Sequence, residues 1–212
     1  MNQPSTQPAQ RVPLDALAPG FADPVRDTQA VFRTLLDALA RPGTIGTIDA
    51  PLPAAAGDDP VRAGLAAFAS LLTLCDYATP VWLAQPDAGL EAALRFHADA
   101  PIAATAADAA FAYVHDAAAL PPLDTFQPGT PESPETSATV FVRVDALTGG
   151  TPLTLSGPGI DGTTRIAPVG LPARFWSERA AFASLFPCGP DFYLVCGAAL
   201  VGLPRTTHVE VH

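Results

Sequence analysis

The sequence contains no lysine: its eleven basic residues are all arginines, spread from Arg11 to Arg205. That absence excludes every chemistry that rests on an amine side chain, including the phosphate-loop lysine and the internal Schiff base of pyridoxal phosphate enzymes. Charge of either sign is scarce. Only 15% of the 212 residues are charged, the net charge is -10, and the arginines are scattered, so the clustered cations that neutralise nucleic-acid phosphates are missing. Cysteine is equally thin. Cys75, Cys188 and Cys196 are odd in number and lack the paired spacing of a zinc ribbon, an iron–sulfur site or a disulfide framework, so they read as reduced, mostly buried thiols. No window approaches the roughly 18 uninterrupted apolar residues of a membrane span, and "MNQPSTQPAQRVP" has neither an apolar signal core nor basic flanks. A cytoplasmic protein without membrane contact is expected.

What is abundant is small and apolar. With 49% apolar residues, much of the surface must be apolar or merely small, which is the composition of a subunit whose faces are covered by partners. The length suits one α/β domain, assigned to residues 20–212, behind a loosely held arm of Pro, Gln and Ala over residues 1–19.

Helix and strand signals alternate along that domain. Asp23 caps a helix with Pro24 at its first position, Val25, Phe32, Leu35, Leu36 and Leu39 form its apolar stripe, and Pro42 and Gly43 stop it. "TIGTI" reads as a strand. Asp59 and Pro60 repeat the capping device for a helix from about 60 to 75, with Val61, Leu65, Phe68 and Leu72 on one face. Residues 79–84 form an apolar strand, and "DAGLEAALRFHAD" is a helix with Leu90, Leu94 and His97 towards its inner side. "AFAYV" and "TVFVRV" are strands, separated by a proline-broken surface loop at 125–137. "TPLTL" and "TTRIA" follow, then a helix carrying Phe175, Phe182 and Leu185. "DFYLVCG", "ALVGLP" and "THVEV" close the chain as antiparallel neighbours. The pattern is an α/β fold with a mixed sheet covered by helices.

Few candidate sites emerge. "TLSGPGIDG" resembles a phosphate-cradling loop but lacks the lysine, and Gly157-Pro158-Gly159-Ile160 suits a type II turn; alternatively the Gly157 and Gly159 amides and the Ser156 hydroxyl admit a ligand or a partner's backbone. His208, Glu210 and His212 lie on one face of the last strand at a spacing open to a metal, although any half-exposed strand alternates this way. Cys188 has no adjacent base to make it a nucleophile. Arg41, Arg174 and Arg205 sit beside prolines at element ends, where an arginine either caps a helix or pairs with a surface acid, or else meets a phosphate or carboxylate. Asp23 and Asp191 share that ambiguity. Arg205 points towards an interface.

"GFADPVRDTQAVFRTLLDALARPGTI", "TLSGPGI" and "LFPCGPDFYLVCGAALVGLPRTTHVEV" together resemble the H subunit family of the bacterial carbon–phosphorus lyase system, which degrades alkylphosphonates. The resemblance runs from Gly20 to the end and is weakest between about 51 and 135. It implies a homodimer that joins the G, I and J subunits in a complex handling ATP and phosphonate, with catalysis placed elsewhere, no catalytic residue here, no metal and no cofactor. It also implies a fold similar to pyridoxal-phosphate-dependent transferases without their cofactor, which agrees with the missing lysine. The contacts expected of this chain are Arg41, Arg205, Ser156, Gly157, Gly159 and Asp191. The alternative is an independent small-molecule enzyme with an arginine-lined anion pocket.

Overall fold

The computed structural model describes residues 17–50 and 63–211. Helix α1 (Pro24–Ala40) starts where the sequence places it: Asp23 accepts from the Arg26 amide at 3.2 Å and Pro24 opens the first turn. Its orientation differs from the expected one. Val31, Leu35 and Ala38 face the core at 1% exposure, whereas Val25, Phe32 and Leu36 of the predicted stripe are 69, 48 and 57% exposed. The helix thus has two apolar faces, and periodicity alone could not say which would be buried.

After strand β1 (Ile45–Thr47), helix α2 (Leu65–Leu74) begins later than expected, with Gly64 as its N-cap. Asp59, Pro60 and Val61 lie outside the described residues. Ala66 to Leu71 are all buried, so α2 is an interior helix rather than an amphipathic one, and its small residues let neighbours close in around it. Strand β2 (Val81–Leu83) leads into α3 (Ala88–Ala98), capped by Asp87 accepting from the Leu90 amide at 2.9 Å. His97 lies on the exposed side of α3, and its Nε2 sits 2.9 Å from the Ala18 carbonyl. That contact holds residues the sequence assigned to a loose arm: Ala18 is buried at 6% exposure. Residues 1–16 of the arm lie outside the described set.

Strands β3 (Phe111–Val114) and β4 (Thr139–Arg143) extend the parallel set begun by β2, and β7 (Asp191–Cys196) joins it against β4. β8 (Ala199–Leu203) returns antiparallel to β7, and β1 closes the edge, giving a six-stranded order β1-β8-β7-β4-β3-β2. A three-stranded antiparallel sheet, ordered β6-β5-β9, is built from β5 (Leu153–Ser156), β6 (Thr164–Ile166) and β9 (His208–Val211). The last strand therefore does not lie beside β8 as expected. It crosses to β5, pairing Ser156 with His208, because Pro204 ends β8 and the Thr207 amide turns back onto the Pro204 carbonyl.

Alternation along the central strands divides the core. Tyr193 and Val195 face α1, α2 and α3, while Phe192 and Leu194 face Leu153, Leu155, Ile166 and Phe175 of the small sheet and α4 (Arg174–Ala181). Helices thus cover one face, and the second sheet with α4 covers the other. The Tyr193 hydroxyl, pushed above the usual phenol range by burial, donates to the Leu35 carbonyl at 2.9 Å and ties α1 to the sheet. Gly202 permits the same closeness from β8: a Cβ there would come within 2.5 Å of the Ala38 carbonyl oxygen. The helix expected to run on to Leu185 becomes a tight 3₁₀ turn at Phe182–Leu185, and Leu185 is 51% exposed.

Candidate functional site

The turn after β5, the first residue of β7 and the crossing from β8 to β9 converge on Arg205. Its Nε donates to Asp191 Oδ1 at 3.2 Å and its Nη2 to Oδ2 at 2.6 Å, a two-pronged carboxylate grip with both side chains 17% exposed. The Arg205 amide adds a bond to Oδ1 at 2.7 Å. Its Nη1 donates to the Pro134 carbonyl at 2.8 Å and the Pro187 carbonyl at 3.2 Å. One guanidinium therefore joins three segments that sequence treats separately: the 125–137 connection, the 186–191 approach to β7 and the β8–β9 crossing.

The 125–137 connection is accordingly more than a surface loop. Phe126 is buried at 1% exposure and meets Trp82 edge-on, and the Gly189 amide donates to the Pro128 carbonyl at 2.7 Å. Beneath Arg205 lies Arg179 of α4, 7% exposed, whose Nη1 donates to the Thr207 carbonyl at 2.7 Å and whose Nη2 reaches the Pro204 carbonyl. Burial pulls its pKa down to about 10, against the opposing charge of Asp191. Sequence reading passed over Arg179 because an arginine inside a polar helical stretch carries no burial signal. Its Nε, the Thr207 Oγ1 and the Ser137 Oγ are buried without hydrogen-bond partners.

Gly157 and Gly159 do form the predicted turn: the Ile160 amide donates to the Gly157 carbonyl at 3.1 Å, and Gly159 has φ +83°. The backbone that Gly159 admits is the chain's own. A Cβ at this position would lie 2.1 Å from the Ala40 carbonyl oxygen at the end of α1. Ser156 is half-buried beside His208 across the β5–β9 ladder. Pro158, Phe182, Phe186, Cys188, Arg205 and His208 line an apolar hollow of about 290 Å³ next to this turn. Arg41 stands apart, at the C-cap of α1, paired with Asp37 one turn back on an exposed surface.

A second polar constellation escaped the sequence. At the carboxyl ends of β2, β3 and β4, where open α/β sheets meet their ligands, Arg143 Nη1 donates to His115 Nε2 at 3.0 Å. Because arginine only donates, the imidazole proton is on Nδ1, 3.0 Å from the Tyr113 hydroxyl, which in turn donates to the Ala63 carbonyl at 3.2 Å. Gln85 Oε1 accepts from the His115 amide at 2.9 Å and the Asp116 amide at 3.3 Å. The strand pattern placed these residues at strand ends; only the register brought them together. Among the described residues, no three His, Cys, Asp or Glu side chains cluster as metal ligands, and His212 of the candidate tail set lies outside them.

Comparison with known proteins completes the picture. The subunit PhnH of alpha-D-ribose 1-methylphosphonate 5-triphosphate synthase from Rhizobium meliloti (strain 1021) is 43% identical over 192 residues, covering 90% of this chain and 94% of that protein. The protein HtxG of Stutzerimonas stutzeri is 39% identical over 83 residues, 39% of this chain and 43% of its own length. The family model described as bacterial phosphonate metabolism protein (PhnH) matches residues 19–210, a span that includes α1, the glycine turn and the Arg205–Asp191 centre. The chain therefore belongs to the PhnH family of bacterial phosphonate metabolism proteins.

Proposed function

We propose that this chain is an accessory subunit of the carbon–phosphorus lyase core complex, supporting transfer of the ribose triphosphate of ATP to an alkylphosphonate. The observation that carries this reading is the 43% identity to the synthase subunit along nearly the whole of both chains. In the same reading the chain is cytoplasmic, forms a homodimer when alone and joins the G, I and J subunits, and its fold is similar to that of pyridoxal-phosphate-dependent transferases without their cofactor. Without a lysine it cannot form that cofactor's Schiff base.

The arrangement of charge supports an accessory rather than a catalytic role. The donors of Arg205 and Arg179 go largely to the chain's own carbonyls and to Asp191, and Arg41 is paired with Asp37, so these arginines hold segments together. Ser156, Gly157 and Gly159 sit on the rim of the same region, and the shape of that rim is what a partner subunit would read.

The test is reconstitution. Co-expressed with its partner subunits, the chain co-elutes in one assembly, and the assembly lacking it loses ATP- and methylphosphonate-dependent product formation. A chain that stays alone and converts ATP and methylphosphonate unaided would establish the rival reading, an independent small-molecule enzyme.

A further inference from the structure

Three buried donors around the Arg205–Asp191 pair have no acceptor among the described residues. They are Arg179 Nε, Thr207 Oγ1 and Ser137 Oγ, on residues 7, 3 and 8% exposed, and each atom is sealed from solvent. Buried donors are seldom left unbonded, so three at one centre point to an acceptor. The backbone ties them to the same few groups. Thr207 offers its carbonyl to Arg179 Nη1 at 2.7 Å and its amide to the Pro204 carbonyl, which Arg179 Nη2 also reaches. The Ser137 amide shares the Pro134 carbonyl with Arg205 Nη1, and the neighbouring Ala138 carbonyl accepts from the Asp191 amide at 3.2 Å. The other unbonded buried side-chain atoms among the described residues, Thr73 Oγ1 and Gln85 Nε2, lie on α2 and in the loop after β2.

Charge is unbalanced in the same place. Two guanidiniums share one carboxylate: Arg205 grips both oxygens of Asp191, and Asp191 is also the acid whose charge acts on Arg179. Glu178, next to Arg179 in sequence, is engaged instead by Arg174 and the Leu123 amide. Burial accordingly lowers the Arg179 pKa to about 10, as expected of a cation with too little counter-charge. We infer that this centre binds a compact monovalent anion of halide size, held by Arg179 Nε, Thr207 Oγ1 and Ser137 Oγ, which locks the β8–β9 crossing to α4 and to the 125–137 connection. Such an ion accepts from all three donors and matches the surplus of a single positive charge. A divalent oxyanion would reverse the imbalance, and a water supplies no charge. The site is independent of the subunit role proposed above, which stands whichever way the test falls.

Urea unfolding of the full chain tests this, with sodium chloride exchanged for sodium gluconate at a constant ionic strength of about 0.2 M. Above half-saturation, each 10-fold rise in chloride raises the folding equilibrium constant of the wild type by up to about 10-fold. Thr207→Val and Ser137→Ala each raise the chloride needed for half the effect at least about 5-fold, and Arg179→Met removes the effect. The hydroxyl variants also carry a test of sign. Replacing an unbonded buried hydroxyl by an apolar group of the same shape is neutral or stabilising, whereas replacing one bonded to an ion is destabilising, so both variants lose stability in chloride and not in gluconate. In crystals grown with bromide, an anomalous peak lies among the three donors. Wild-type stability equal in chloride and gluconate overturns the inference. So does a chloride effect unchanged in Thr207→Val and Ser137→Ala, which also decide the matter if Arg179→Met fails to fold.

Discussion

Arg205 holds Asp191 with two side-chain nitrogens and its own backbone amide, at 3.2, 2.6 and 2.7 Å, although fourteen residues and a complete strand hairpin separate them. The Pro134 and Pro187 carbonyls take the remaining Nη1 donor, so the pair is the crossing point of three chain segments. Removing one partner of such a half-sequestered pair leaves the other poorly compensated.

Arg205→Ala is expected to cost about 2–4 kcal/mol of stability, read from denaturant midpoints. Arg205→Lys recovers less than half of this, since one ammonium cannot reproduce a planar fork that serves a carboxylate and two carbonyls. A loss of assembly with unchanged midpoints would instead make Arg205 a partner contact.

Gly159→Ala combines a backbone at φ +83° with a Cβ placed 2.1 Å from the Ala40 carbonyl oxygen. The expected loss is about 2–4 kcal/mol, because either the turn or the end of α1 must move. Gly162→Ala is the control: its φ is +69° but nothing lies within 4 Å of the added Cβ, so only the backbone strain of about 1 kcal/mol remains. Equal losses in the two variants would show that the close approach to α1 contributes nothing.

Glu178 gives a pH dependence. Burial disfavours its charged form, but the hydrogen bond from Arg174, the Leu123 amide at 2.9 Å and the Arg174 charge together outweigh this and hold the carboxyl below its usual range. A carboxyl depressed on folding contributes stability that is complete above its unfolded pKa of about 4.3 and is lost as pH falls through the lower folded value. Replacing Glu178 with Gln therefore lowers the midpoint at pH 7 and flattens its fall between about pH 5 and pH 3. A wild-type slope surviving in that variant would assign the acid sensitivity to other carboxylates.

The three thiols should react in a fixed order. Burial pushes the Cys75 thiol well above the usual range, Cys188 is 9% exposed, and Cys196 is half-buried with its Sγ 3.4 Å from the Asp145 carbonyl oxygen. Under native conditions at about pH 8, alkylation followed by peptide mass analysis should find Cys196 modified first and Cys75 only after unfolding. Early labelling of Cys75 would mean that α2 opens readily.

The sequence by itself determined the local events. Asp23 and Pro24 declared the start of α1 because a cap is a contact among residues three or four apart, and the Gly157–Ile160 turn was legible because a positive φ at its third position demands glycine. The missing lysine set a chemical limit that no folding could lift. The quoted stretches also carried the family, which the comparisons bear out. What the tertiary structure decided were the choices between equivalent local patterns. Val25, Phe32 and Leu36 have the same helical rhythm as Val31, Leu35 and Ala38, and only docking against Tyr193 and α2 determined which face of α1 was buried. "THVEV" alternates as well for one strand neighbour as for another; β9 went to β5 because Pro204 broke the run from β8 and the Arg179 and Arg205 guanidiniums fixed the crossing. Alternation records that a strand has two faces, and rhythm records that a helix has a stripe, but which neighbour meets them depends on contacts between residues far apart in the chain.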